Sequence, residues 1–536
     1  MNSQCFPFRQ IPHSTPLFVD YLDYTPSVQP FYPRSTRFRD WAAEESSRIE
    51  YPPDRRRRVA EILERQNKSF QASPKAFENI GKLSAGSAAI VTGQQVGLLG
   101  GPVFAIYKAL SAIKLAEEAN RVGLNCVPMF WLATEDHDLE EVNQASIPGP
   151  EMVPERLRTS APSVSDAPVG TVGLGADISD IVLQAQKLLG EGPVTRLLAD
   201  CYRPVETFGT AFRNFYAKVF ADFGVILIDG SDPELDEIAS PLYQEVVARA
   251  SELNRSLLER DRELASVNYH QQVHVTPSST PLFLIRDGAR VPVHLDPAGN
   301  EFLFDKERLL EKELLQMAAD SPASFSPNVL LRPVLQDYLL PTLAYVGGAA
   351  EVAYFAQAAV LYQRLRGRTT PIVPRLSATL IEAKPKALLE KYQLMFRDLF
   401  TGSEALRERI GGRLIGHNLQ DAFDRAQSAL AAAMAELSDE LGHLDRTLVE
   451  SAKHAESKML YQLTSLHSRA ARAELRQSEV AERHTRGLIN SLYPNKTLQE
   501  REIAGIYFLA KYGLELLPQL LGLIHSDCVD HQLITL

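Results

Sequence analysis

Cysteine is scarce in this chain. Four residues, Cys5, Cys126, Cys201 and Cys528, lie far apart among 536 and form no C-x-x-C pair. That spacing suggests neither a zinc ribbon nor a disulfide framework, and it fits a reducing cytosol. Long apolar runs are also missing. The first residues, MNSQCFPFRQIPHSTPLF, contain no basic segment followed by an apolar stretch, and the longest late apolar run, Gly513 to Ile524, is about half of what a bilayer requires. A cytoplasmic protein without a membrane span is expected. Positive charge is in deficit: 56 Lys plus Arg against 67 Asp plus Glu leave a net charge of −11. The bulk field repels polyanions, so no nucleic-acid partner is expected, while a local basic cleft remains open to a small anion.

What is present is ordinary globular material. Hydrophobic residues make up 45% and charged residues 23%, which excludes collagen-like, disordered and disulfide-scaffold classes. At about 150 residues per domain, the length suggests roughly three to four structural units.

Residues 1–147 read as an N-terminal segment followed by the first half of an α/β core. The segment is helical from Asp54 to Gln66, with the basic run Arg55 to Arg58 read as a solvated face in preference to an anion site. The core begins with a strand at Ala88 to Thr92, a glycine-rich turn, a helix from Pro102 to Asn120 with Pro at its first position, and a strand at Cys126 to Ala133. Such a β-α-β unit implies parallel strands. A Pro/Gly/Ser-rich stretch opens a first insertion at 148–205. The core resumes over 206–248 with a helix from Thr207 to Phe223 and the strand Val225 to Asp229, and one polar helix runs from Leu235 to Asp261. A second insertion at 249–328 holds a small antiparallel hairpin turning at Arg286-Asp287-Gly288. The second half of the core, 329–384, reads as the strand Leu343 to Val346, a Gly347-Gly348 turn, a helix from Ala350 to Arg364 and the strand Pro371 to Pro374. Residues 385–487 read as a helical coiled-coil domain: from Leu419 to Leu466 the composition turns to Ala, Leu, Glu, Gln, Ser and Arg without Pro, and Leu430, Met434, Leu437, Leu441, Leu444, Leu448, Ala452, Ala455, Met459, Leu463 and Leu466 recur three and four apart. That is the pattern of one long coiled-coil seam, closed within the chain or by a second subunit. The segment 488–536 reads as helical, with a helix from Leu498 to Lys511.

Chemistry concentrates at the ends of the strands. The turn T-G-Q-Q-V-G-L-L-G-G-P, Thr92 to Pro102, leads from a strand into a helix, where free N–H groups and glycines admit an anion. It matches neither the dinucleotide fingerprint nor a P-loop, and simple turn geometry is the alternative. Its candidate binding residues are Gln94, Gln95, Gly97, Gly100 and Gly101. The next strand ends in T-E-D-H-D, so Glu135, Asp136, His137 and Asp138 stand where open α/β sheets bind ligands. Acid–base catalysis is the favoured reading, with His137 as acid or anion holder and a neighbouring Asp accepting a proton from an attacking amine. A helix cap and a metal site are the competing readings. Arg332, Gln336 and Asp337 precede the second glycine turn, Gly347-Gly348 with Glu351, where Arg suits a carboxylate and Glu an ammonium group. Arg375 and Ser377 follow the last strand and are offered to an anion. His270 and His274, on one face of an expected strand, and the terminal group His525, Asp527, Cys528, Asp530 and His531 are weak zinc candidates; no metal is expected.

Taken together, VTGQQVGLLGGP, FWLATEDHDLEEVN, VILIDGSDP, RPVLQDYLLPTLAYVGGAAEVAYF, PIVPRLSATLIE and SLYPNKTLQERE resemble the bacillithiol biosynthesis cysteine-adding enzyme family, BshC, in order over most of the chain. The resemblance implies a Rossmann-like parallel sheet with two insertions of the connecting-peptide type, a long α-helical coiled-coil domain, and a homodimer. It brings Asn143 into the binding set. The reaction it implies joins L-cysteine, through its carboxyl group, to the amine of glucosaminyl malate. The family core is similar to that of class I aminoacyl-tRNA synthetases, whose H-x-G-H and K-M-S-K-S motifs are replaced here by QQVGLLGG and PRLSAT. Amide formation from a free carboxylate is uphill, so activation is expected, with ATP or another nucleotide as candidate and acyl-adenylate and acyl-phosphate both open. A nucleotide-sugar or other nucleotide-binding transferase and a non-catalytic coiled-coil interaction protein are the alternative classes.

Overall fold

Ala-Ala-Ile-Val-Thr and Cys-Val-Pro-Met-Phe-Trp-Leu-Ala are apolar at successive positions, as strands covered on both faces must be. In the computed structural model, which describes residues 2–160, 166–296, 301–305, 307–414, 417–477, 479–524 and 528–536, they form β1 (Ala88–Gln95) and β2 (Cys126–Ala133). Between them runs α1 (Val103–Arg121), with Pro102 as its N-cap rather than its first residue. Four further elements complete the layer: β3 (Ile226–Asp229), β4 (Thr342–Gly347), α3 (Ala349–Arg366) and β5 (Ile372–Pro374), with the short α2 (Arg332–Leu339) ahead of β4. The sheet order is β3-β2-β1-β4-β5 and every pairing is parallel. This is the order of a Rossmann half, with its switch point between β1 and β4. The sheet is covered on one side by a cluster that includes Phe38, Trp41, Ile90, Leu115 and Val346. Aromatic packing also surrounds β2, with Phe130 5.2 Å from Tyr216 and Tyr216 stacked at 4.1 Å on Phe212.

The chain divides into two compact units. The first comprises Met1–Ile147, Glu155–Thr379 and Glu500–Ile534, and the second Pro148–Pro154, Leu380–Gln499 and Thr535–Leu536. In the first unit the expected hairpin is Ser279–Arg286 with Ala289–Leu295, turning through Asp287 (φ 50°) and Gly288 (φ 79°). It belongs to a larger, five-stranded antiparallel sheet. Among the described residues no helix is long and apolar enough to cross a membrane.

Several expectations are corrected. Cys5 and Cys528 form a disulfide across 523 positions, a pairing that local spacing does not show. His270 and His274 lie in a loop, not on a strand. The polar helix 235–261 is two helices, Pro233–Ala248 and Ala250–Ser266, broken at Arg249, which Glu245 and Glu252 hold. The helix expected from Leu498 to Lys511 breaks between Gln499–Glu502 and Gly505–Tyr512, because Ile503 and Ala504 bond instead to Val103 and Ser146. The basic run is only partly solvated: Arg55 lies 3.6 Å over the Tyr338 ring, and Arg56 donates to the carbonyls of Leu83 and Ser87. His525 and Asp527 lie outside the described residues. Cys528 is in the disulfide, Asp530 accepts from the N–H of Phe8, and His531 is buried between the hydroxyls of Ser377 and Thr379.

In the second unit the long seam is not one helix. α4 (Ser403–Leu414) is followed by α5 (His417–Leu444) and α6 (Thr447–Gln477), and Asp445 turns the chain by capping the N–H of Thr447 at 2.8 Å. Phe423, early in α5, meets His467, late in α6, at 5.0 Å between ring centres. The two helices are therefore antiparallel and much of the seam closes on itself. Met434 and Ala452 are buried, whereas Leu437, Leu444, Met459 and Leu466 remain exposed.

Candidate active site

At the carboxyl ends of β1 and β4, where neighbouring connections leave in opposite directions, an open α/β sheet has a crevice. Here it is a cavity of about 320 Å³ lined by Gly93, Gln94 and Gln95 from β1, Tyr345 and Gly348 around the end of β4, and Asp136, Arg332, Gln336, Glu351 and Arg375. Gly93 is required by the close approach of β2, since a Cβ there would stand 2.8 Å from the carbonyl oxygen of Trp131.

Beneath the cleft lies Lys108 of α1. Its ammonium contacts Glu351 at 2.7 Å, the carbonyl of Gly93 at 2.8 Å and Oε1 of Gln94 at 2.9 Å. Glu351 also accepts from the N–H of Gly348 and the hydroxyl of Tyr345, both at 2.7 Å. Burial raises the proton affinity of Glu351, but Lys108 and these donors outweigh it and hold the carboxyl below its ordinary range. Burial lowers the pKa of Lys108 despite Glu351.

Asp136 accepts from Nε2 of Gln95 at 2.9 Å and stands 3.9 Å from Arg332. Burial pushes its carboxyl up, yet Arg332, Gln95 and Arg290 together bring it below the usual range. Arg332 is desolvated, but Tyr354, Glu135 and Asp136 outweigh this and raise its pKa. The adjacent Glu135 is buried with neither oxygen hydrogen-bonded, and desolvation raises its pKa. His137 is partly exposed, and Arg290, from the hairpin strand Ala289–Leu295, donates to its Nδ1 at 3.3 Å. Asp138 caps the short helix Leu139–Val142 through the N–H of Glu141, and Asn143 is buried outside the cleft lining.

The glycine turn is built differently from an anion cradle. Leu99, Gly100 and Gly101 all have positive φ, but the N–H of Gly100 goes to the hydroxyl of Tyr202, and that hydroxyl donates in turn to the carbonyl of Gly97. Gly97, Gly100 and Gly101 are thus buried beneath the turn. Asp337 is likewise absent from the cleft and faces Arg368 at 3.8 Å near the other end of β4. Arg375 lies in the cleft, held by Glu500 at 2.7 Å, and Ser377 stands behind it, bonded to the same carboxylate at 2.9 Å. Gly347 ends β4 directly beside the lining. Sequence reading missed Lys108, Phe104, Arg290, Arg501 and Glu500. Lys108 carried one signal, a lone cation in an otherwise apolar helical run, with Phe104 four residues before it.

A parallel sheet of this order, with ionised acids and arginines gathered at its switch point, defines a Rossmann-like enzyme core acting on a charged small molecule. The chain belongs to the bacillithiol biosynthesis BshC family: residues 1–376 match its N-terminal Rossmann-like domain and 378–536 its C-terminal coiled-coil domain. It is 44% identical to a Koribacter versatilis protein named "Putative cysteine ligase BshC" over 100% of both chains. Proteins of the same name from Solibacter usitatus (35% identity, 99% of both chains) and Salinibacter ruber (32% identity, 97% of this chain and 96% of the relative) are also similar.

Proposed function

We propose that the protein is a cysteine ligase that joins the carboxyl group of L-cysteine to the amine of glucosaminyl malate, forming bacillithiol. The observation that carries this reading is the meeting of Asp136 with Arg332 and Arg375 in one cleft, in a chain of the bacillithiol biosynthesis family. The malyl group brings two carboxylates, which Arg332 and Arg375 suit as fork-shaped donors. Asp136, ionised at neutral pH, holds the ammonium form of the amine, and His137 takes the proton that must leave before attack.

Condensation of the carboxylate with the amine must lose one carboxylate oxygen, formally as water and uphill, so an activating nucleotide such as ATP, which would turn that oxygen into a leaving group, is the expected co-reactant. The buried glycine turn does not fit a phosphate cradle, because the Gly100 N–H is already given to Tyr202. In this reading the enzyme works in the cytoplasm, the segments 148–205 and 249–328 are insertions in its core, and it is a homodimer through the exposed apolar residues of α5 and α6.

The deciding experiment incubates purified protein with L-cysteine and glucosaminyl malate, with and without ATP, and follows the product by mass. Cysteine-dependent bacillithiol is expected. No product under any nucleotide, with turnover of a nucleotide sugar instead, would replace this reading by the transferase.

A further inference from the structure

A second cavity in the first unit, about 1080 Å³, is separate from the candidate active-site cleft. Thr342, the first residue of β4, lines it, whereas the cleft lies at the other end of the same strand. Its volume is just above the range of roughly 300–1,000 Å³ usual for small-molecule sites.

Four arginines line it, Arg48, Arg55, Arg366 and Arg368, and two are already neutralised. Arg48 pairs with Glu44 and Glu45, and Arg368 pairs with Glu45 at 3.2 Å and faces Asp337 at 3.8 Å. Arg55 and Arg366 have no carboxylate within 4 Å among the described residues. Both stand over one ring, that of Tyr338, at 3.6 and 5.0 Å. The Nε of Arg366 is buried without a hydrogen-bond partner, and Arg55 spends only one N–H, on the carbonyl of Tyr338 at 2.9 Å. The remaining acid of the lining, Glu50, is exposed.

Two like charges brought together around one aromatic ring with no carboxylate in direct contact are unfavourable, and half-burial makes the arrangement worse. Burial, together with the neighbouring Arg366, lowers the proton affinity of Arg55. Stacking on tyrosine accounts for one guanidinium but does not relieve the repulsion between two. In a chain of net charge −11, acids are plentiful, yet the buried acids of this lining, Glu45 and Asp337, face Arg48 and Arg368 instead, and Asp337 reaches Arg366 only through its field.

We propose that this cavity binds a small phosphate-bearing anion, gripped between Arg55 and Arg366 at the amino-terminal edge of the sheet. Paired guanidiniums match phosphate oxygens in a bidentate fork. The same chemistry comes from a free diphosphate or from a phosphate ester, and the two are separated by using inorganic pyrophosphate and ribose 5-phosphate as probes.

Isothermal titration of the full chain with each probe is the test, beside the variant Arg55→Gln/Arg366→Gln. Saturable binding is expected, weakened at least tenfold in the variant, with ligase turnover unchanged. Pyrophosphate binding more tightly identifies a free diphosphate, and ribose 5-phosphate binding more tightly identifies an ester. No binding of either probe at millimolar concentration, or equal binding by the variant, overturns the proposal. Should the variant fail to fold, phenylglyoxal labelling of the unaltered protein decides. Protection of Arg55 and Arg366 by the bound probe, read by peptide mass, supports the site; unprotected labelling of both overturns it.

Discussion

Lys108 and Glu351 meet at 2.7 Å with both side chains nearly out of water, tying the middle of α1 to the first turn of α3 under the cleft floor. Neither residue is a neighbour of the other in sequence, and each would be a liability alone. A buried charge that loses its partner costs about 3–5 kcal/mol.

Glu351→Gln should therefore lower stability by roughly that amount, and Lys108→Met combined with Glu351→Gln should lower it less than Glu351→Gln alone. Denaturant melts of the two single variants and the double variant measure the coupling. Because the folded pKa of Glu351 is depressed, its contribution is complete above the unfolded carboxyl value of about 4.3 and is lost as pH falls through the folded value. The Gln variant should lose that part of the acid-side decline.

Asp136→Asn and His137→Ala should each reduce turnover by about 10²-fold or more, the usual scale for acid–base groups, with thermal melting little changed. Steady-state kinetics with cysteine and glucosaminyl malate would show it. Full activity in both variants would remove Asp136 and His137 from the reaction.

Arg332 and Arg375 answer a different question, that of anion recognition. The double variant Arg332→Ala/Arg375→Ala should raise the KM for glucosaminyl malate by more than tenfold, because each charge-assisted hydrogen bond contributes about 1.5–3 kcal/mol. An unchanged KM would place the malyl group elsewhere.

Asp236 offers a pH signature of opposite sign. It is buried, accepts from the hydroxyl of Tyr243 at 2.8 Å, and desolvation pushes its pKa up to about 8. Between the unfolded value of about 3.9 and 8 the folded chain keeps a proton that the unfolded chain releases, so this group makes stability fall as pH rises. Asp236→Asn should gain stability relative to the parent at pH 8 compared with pH 4.5, which thermal melts at the two values would reveal.

Leu437 and Met459 are exposed on the helical unit. Replacing both with Glu should convert a dimer to a monomer in light scattering while leaving the melting of α5 against α6 intact. A native mass of one chain for the unaltered protein would end the dimer reading.

Much of the sheet was legible because its strands are buried on both faces. Cys126–Ala133 is an uninterrupted apolar run and occupies the span its composition demands. The coiled-coil character of the seam was legible too, but its turn was not: leucines at 441, 444 and 448 continue the three-and-four spacing through it, and the break is signalled only by Gly442 and the capping residue Asp445. The site was half legible. Asp136 and Gln95 sit beside visible turns, whereas the partners of Glu351 and Arg375, Lys108 and Glu500, come from distant stretches. Long-range pairing leaves no local pattern, and the disulfide of Cys5 with Cys528 was hidden for that reason.

The return of Glu500–Ile534 to the Rossmann-like unit sets the order in which the enzyme can mature. A ribosome delivers Arg375 well before Glu500, with most of the helical unit made in between, so the arginine of the cleft waits for its carboxylate until that unit has been made. A chain stopped at residue 376, where the Rossmann-like family match ends, would carry the sheet and the acids but leave Arg375 without Glu500. The cleft of the nascent chain thus stays incomplete until Glu500 has been made.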